Sequence, residues 1–468
     1  MLRFWTSLAL MCASPLLYGA SSYADSATAS IDEVTQWNKT LLGIVRTPGA
    51  QPATIHPTRS FAIVHAAIYD AVNAIDAGHK PYLVHVTHVS PHASQEAAAA
   101  AAAHETLTVL YPAFQATLDQ QYEQSLAQIT DGADKSAGID VGRAVALATL
   151  ALRNDDGSAA QPTPYVFGNA PGDYQSTPPN FPAQPVFTHW SRVTPFALER
   201  ASQFRLGPPP ALTSAEYTAD FDEVKALGIA NSTAATADQA LIGRFWNGAI
   251  QNYWNEIAQT AVHTHHLTTA QSARVFALLN LTLADEVIAF YDSKYTYNFW
   301  RPVTAIRAAA TDDNPDTEAD PTWLPQPGKT AADPSYPGAH ASISAGGAFV
   351  LRKLFGNKPF HVNVTSEALP GVVRSFDGFA AIEKEASLSR IYAGQHFRSD
   401  ENAGERLGSA VADFVVDNFL TRVRRDEADG ESEVGDDFFR SIILCLLRFN
   451  RMQRFRIGEC PMVHIQFP

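Results

Sequence analysis

Apolar residues recur at helical spacing along most of this chain. The stretch RSFAIVHAAIYDAVNAI, residues 59–75, has that pattern and reads as a helix packed in a bundle, with His65 and Asp70 as satisfied interior groups. SQEAAAAAAAHETLTVLY, residues 94–111, encloses an unbroken alanine run. Alanine is the best helix former, and its small side chain lets helices approach closely. Helical patterns return in SAEYTADFDEVKALG, ADQALIGRFWNGAIQNYWNEIAQTAV and ARVFALLNLTLADEVIAFYDSKYTYNFW. No segment alternates with period two for long enough to suggest a sheet. The predicted fold class is all-α, built from helical bundles joined by short turns. Residues 157–213 break the texture with Pro, Gly and aromatics. No regular helix fits there, and the aromatics argue for an ordered excursion, a wall or lid.

Bulk properties narrow the picture. The chain has 468 residues and a formal charge of −14, with 46% hydrophobic and 18% charged residues. That is a globular core-former. Its acidity argues against nucleic acid and anionic membrane surfaces as partners. The start reads as a secretory signal over residues 1–24, with an apolar stretch and the small-x-small tripeptide Ser22-Tyr23-Ala24. A secreted protein, periplasmic or extracellular, is expected. No later segment is long and apolar enough to span a membrane. Cysteine occurs only at Cys12, Cys445 and Cys460, so the middle of the chain offers no thiolate ligand or nucleophile. The expected organisation is an N-terminal helical region over 25–235, a catalytic helical bundle over 236–421, and an atypical, charge-rich tail over 422–468. HTHH, His263 to His266, reads as a polar turn between helices.

Candidate chemistry lies in three segments. In SRIYAGQHFRSD, Arg390, His396 and Asp400 fall close together. Four residues from His396 to Asp400 is one helical turn, and a carboxylate beside an imidazole fixes its tautomer. Arg398 reads as a solvated neighbour. In KYTYNFWRPVTAIR, Lys294 and Arg301 are two turns apart on a helix that Pro302 should end. The aromatics between them suit a partly buried wall, where cations need a counter-anion. In PSYPGAHASISAGGAFVLRKLF, Gly338 and Ala339 open a helix whose first N–H groups lack internal partners and suit an oxyanion. His340 stands at the rim, placed for proton transfer. Three cations, a helix N-terminus and two histidines describe a pocket for a tetrahedral oxyanion.

Lys-x6-Arg-Pro, then Pro-x-x-His, then Ser-Arg-x5-His-x3-Asp resembles the superfamily of type 2 phosphatidic acid phosphatases, bacterial acid phosphatases and vanadium-dependent haloperoxidases. The segments look most like the chloroperoxidase branch of the vanadium enzymes. The resemblance implies an all-α fold with the site in the C-terminal bundle. It implies that Lys294, Arg301 and Arg390 bind the oxygens of a vanadate cofactor, that His396 is its single covalent ligand, and that His340 is the acid–base group. The partners implied are hydrogen peroxide and a halide, with a homodimer as candidate assembly. In the phosphatase alternative, phosphate replaces vanadate, the substrate is a phosphomonoester, and His396, oriented by Asp400, is the phosphorylated nucleophile. A non-catalytic oxyanion binder would keep the same pocket. One departure stands out: the family usually has Pro-Ser-Gly-His where this chain has Pro337-Gly338-Ala339-His340. The hydroxyl lost at Gly338 leaves Ser335, Ser342 or a water to compensate.

Overall fold

A computed structural model describes residues 32–356 and 360–423. The expected signal, all three cysteines and nearly all of the tail lie outside the described residues. Within them the chain folds as thirteen α-helices and one two-stranded sheet. The all-α expectation holds. The sheet is an antiparallel hairpin of β1 (His361–Thr365) and β2 (Val373–Asp377), and its alternation is too short to register against the helical background.

The first five helices are α1 (Glu33–Arg46), α2 (Pro57–Asp76), α3 (Gln95–Leu110), α4 (Gln115–Ala127) and α5 (Ala133–Arg153). Asp32 caps α1 by accepting from the Thr35 N–H, and Ser94 caps α3 through the Ala97 N–H, as short polar side chains do where a helix has unpaired donors. The alanine run of α3 is fully buried, facing α2 and α5. After the long irregular segment come α6 (Ala215–Leu227), α7 (Ala237–Phe245), α8 (Ile250–Thr264) and α9 (Thr269–Tyr297). The last four are α10 (Pro302–Ala308), α11 (Ala339–Phe355), α12 (Phe379–Tyr392) and α13 (Arg398–Asn418).

The central helix is α9, 29 residues long and buried along nearly its whole length. It packs on α1 and α2 from one side and on α11 and α13 from the other, so one apolar core runs through both halves of the chain. The crossing of α11 against α13 is close. A side-chain carbon at Gly404 would sit 2.3 Å from the Gly338 carbonyl oxygen, and one at Gly408 only 2.0 Å from that of Ser342. Only glycine permits this approach, and it brings the start of α11 onto the start of α13.

Candidate functional site

The break between α9 and α10, the start of α11 and the junction of α12 with α13 supply the site residues. Asn298 closes α9 in a left-handed conformation, and Arg301 then serves as the N-cap residue of α10. Lys294 and Arg301 therefore do not share one helix face. A break at 298–300 separates them, and Asp333 reunites them. The Arg301 guanidinium donates to Asp333 Oδ1 at 2.5 Å and to its carbonyl at 2.8 Å. The Lys294 ammonium lies 3.4 Å from Asp333 Oδ2 and donates to the carbonyls of Pro334 and Ser335. All three residues are buried. Burial alone would raise the Asp333 carboxyl, but Lys294 and Arg301 together hold it below its ordinary value. Burial brings Lys294 down to about 8, against the pull of Asp333.

His396 lies two residues before α13, and Asp400 sits in that helix's first turn. Their pairing is thus a capping arrangement rather than two positions on one helix face. Asp400 Oδ2 accepts from the Phe397 N–H at 2.9 Å and from Ser335 Oγ at 2.5 Å, and meets His396 Nδ1 at 3.1 Å. Arg301 approaches His396 Nε2 at 3.0 Å. A guanidinium only donates, so Nε2 carries the lone pair and Nδ1 the proton. Burial, followed by Arg301 and Lys294, depresses His396 strongly, and burial raises Asp400 to about 6. The histidine is therefore a neutral nucleophile or ligand with its reactive nitrogen set by its neighbours.

Arg390 ends α12 and donates to Asn247 Oδ1 at 3.3 Å, while its Nε is buried with no partner. Gly338 is the N-cap residue of α11, and its own N–H is taken by the Asp400 carbonyl at 2.8 Å. Ala339 and His340 supply the next N–H groups. His340 Nε2 lies 3.0 Å from the Trp246 carbonyl, which only accepts, so Nδ1 keeps the lone pair. Burial, then Arg390, holds its pKa far below the ordinary value.

The structure thus brings Lys294, Arg301, Gly338, Ala339, His340, Arg390, His396 and Asp400 into one cluster. Sequence reasoning missed two members. Asp333 was foreshadowed only by the need of buried cations for a counter-anion. Glu401 reads in sequence as an ordinary acidic residue of a helix first turn, yet it is buried, 3.8 Å from His396 Nδ1, with neither oxygen hydrogen-bonded. Of the two serines able to offset Gly338, Ser335 is committed to Asp400, and Ser342 Oγ is buried without a partner.

Outside the pocket, Arg398 is a structural anchor rather than a solvated neighbour, gripping Glu223 of α6 at 2.6 and 2.7 Å. His263 to His266 form the end of α8 and its turn, and no metal-binding cluster of His, Cys, Asp or Glu occurs among the described residues. The long segment is a fixed wall. Tyr174 N–H donates to Asn298 O, Val186 N–H to Ala332 O, and the Tyr295 hydroxyl to Val186 O.

Residues 274–425 match the model of the VCPO second helical-bundle domain, and all three motifs fall inside that span. A vanadium chloroperoxidase from Curvularia inaequalis is 24% identical across 67% of this chain and 67% of its own length. The domain match and this relative make the chain similar to the vanadium haloperoxidases. The crystal structure of a bacterial vanadium-dependent iodoperoxidase shares 23% identity at a TM-score of 0.68, covering 84% of this chain and 96% of that one. A holo-type bacterial vanadium-dependent chloroperoxidase gives 16% and 0.61, covering 82% and 97%. At these identities the two structures establish the shared fold.

The clustered side chains suit a tetrahedral oxyanion on their own geometry. The orphaned Arg390 Nε, the lone pair on His396 Nε2 and the first turn of α11 are the groups such an anion would engage.

Proposed function

We propose that this chain is a vanadate-dependent haloperoxidase that uses hydrogen peroxide to oxidise a halide. The observation that carries the reading is the state of His396: neutral, proton on Nδ1 toward Asp400, lone pair on Nε2 beside Arg301. Such a nitrogen would hold the central atom of the oxyanion. Bound vanadate would supply a Lewis-acid centre that makes peroxide electrophilic toward halide. Lys294, Arg301 and Arg390 would draw charge from the oxygens, an electrostatic effect strengthened by burial. His340, neutral and with Nδ1 free to accept, would take up and return a proton. Asp400 keeps the His396 ring oriented, and Ser335 keeps Asp400 oriented.

Two observations favour a second reading, an acid phosphatase with His396 as nucleophile. Gly338 lacks a hydroxyl, and Asp333 already engages Lys294 and Arg301. Both weaken long retention of an anion and suit a transient phosphoryl group. Secretion belongs to the same proposal and rests on the signal-like residues 1–24; mass spectrometry of the mature N-terminus would test it.

The deciding experiment is a paired assay on vanadate-stripped protein with and without orthovanadate. One arm follows dye bromination by bromide and peroxide, the other hydrolysis of an aryl phosphate. Bromination that requires vanadate supports the haloperoxidase. Hydrolysis that vanadate inhibits, without bromination, replaces it with the phosphatase.

A further inference from the structure

Trp246 follows α7 as its C-cap residue, where carbonyls have no partner within the helix. His340 Nε2 donates to the Trp246 carbonyl at 3.0 Å. The indole of the same residue is fully buried. Its ring lies against Tyr253 and against Phe376 of β2, with centroids 5.0 and 6.1 Å away. Its Nε1–H donates to Glu385 Oε1 of α12 at 3.0 Å. Arg374 of β2 grips that carboxylate, donating from Nε at 2.5 Å and from Nη2 at 2.8 Å. Arg374 Nη1 also donates to Asp238 Oδ1, in the first turn of α7, at 2.8 Å. A guanidinium forked onto a carboxylate fixes the direction of both groups. The contacts thus run from the hairpin through Arg374, Glu385 and Trp246 to His340. The far end of the same loop is held separately, by Glu367 Oε1 accepting from the Ala249 N–H at 2.6 Å.

We propose that Glu385, held by Arg374, is a positioning residue for His340. By anchoring the Trp246 indole it fixes the carbonyl that receives the His340 Nε2–H, and so keeps Nδ1 as the basic nitrogen. The inference rests on reading His340 as the acid–base group. Ring and carbonyl of one residue share a Cα, so an indole that loses its anchor carries the carbonyl away from His340. A reacting group has to stay within about 0.5 Å of its productive geometry. An imidazole freed from its carbonyl samples both tautomers, and only one presents a lone pair at Nδ1.

The test compares full-length wild type, Glu385→Gln, Glu385→Leu, Trp246→Phe and the double variant Trp246→Phe/Glu385→Leu. Nitrogen-15 NMR of histidine-labelled protein without vanadate reads the tautomer of His340, assigned with His340→Asn. Wild type should carry the proton on Nε2. Glu385→Gln should do the same, because its amide oxygen still accepts from the indole. Glu385→Leu and Trp246→Phe should each give mixed tautomers, and the double variant no more than either alone. In whichever of the bromination and hydrolysis assays wild type is active, these three should lose about tenfold in kcat, a share of the roughly 10²–10⁴-fold that acid–base catalysis contributes. Phosphate affinity, measured by calorimetry, should hold, since Arg390 keeps Asn247 and the loop keeps Glu367. An unchanged tautomer or an unchanged kcat in Glu385→Leu overturns the proposal and leaves the acid–base reading standing. Equal losses of kcat and phosphate affinity, or the same defect in Glu385→Gln, also overturn it, because the contact then only stabilises the fold. A wild type inactive in both assays removes the acid–base reading, and this proposal with it.

Discussion

Arg301 ties several parts of the site together. It holds Asp333, the Gln395 carbonyl and His396 Nε2 at once. Its value in the sequence was visible as a cation seven residues after Lys294, but its geometry was not, because the helix breaks between them. Asp333 is the residue on which charge balance turns. Replacing it with Asn leaves two buried cations without their carboxylate, and breaking a buried pair costs about 3–5 kcal/mol. Asp333→Asn should therefore melt earlier than wild type without added anion, yet gain more from added phosphate in a thermal-shift series. A smaller phosphate-induced shift than in wild type would show that Asp333 does not compete for the cradle. The pH behaviour follows from the sign of the shift. Asp333 is held below its ordinary value, so its contribution is present above about pH 4 and is lost as pH falls further.

At the scale of elements, two buried aspartates pin irregular segments to the helices. Asp285 of α9 accepts from the N–H groups of Phe196, Ala197 and Leu198, and Asp70 of α2 from those of Tyr82, Leu83 and Val84. Burial raises each to about 6, against those same hydrogen bonds. Asp285→Ala orphans three donors, and a loss of roughly 2–4 kcal/mol in chemical denaturation is expected. The wall formed by residues 157–213 should become protease-sensitive in the same variant. A second buried polar group ties α1 to α2, α8 and α9: Asn38 donates to His65 Nε2 and to Asn255, and Asn255 pairs with Asn280. His65 is held at about 3 by burial. A depressed histidine costs stability as pH falls below about 6.5, because only the unfolded chain takes up the proton. His65→Gln should be less stable than wild type at pH 7, and that deficit should shrink by up to about 2 kcal/mol at pH 5. An unchanged deficit across that range would mean that His65 titrates normally in the fold.

At the scale of the molecule, one core crosses the expected boundary between residues 235 and 236, since α9 packs on α1 and α2 as well as on α11 and α13. A single calorimetric transition is expected, and a fragment that begins at 236 should fail to form a stable bundle because α9 would expose the face that α2 covers. Two separated transitions would establish independent halves. No helix among the described residues is long and apolar enough to cross a membrane. What the sequence determined by itself was local: helix periodicity, the proline and glycine breaks, and three short motifs whose cations and histidines imply an anion. These are legible because each depends on neighbours within a few residues. Tertiary structure decided the rest. Asp333 finds its two cations across 39 and 32 residues of chain, and Glu401 fills the gap at Gly338 from another helix. Neither spacing has a period or a motif. The second follows from α13 lying glycine-close on α11, and the first from the fold of the chain before α11 back onto the end of α9.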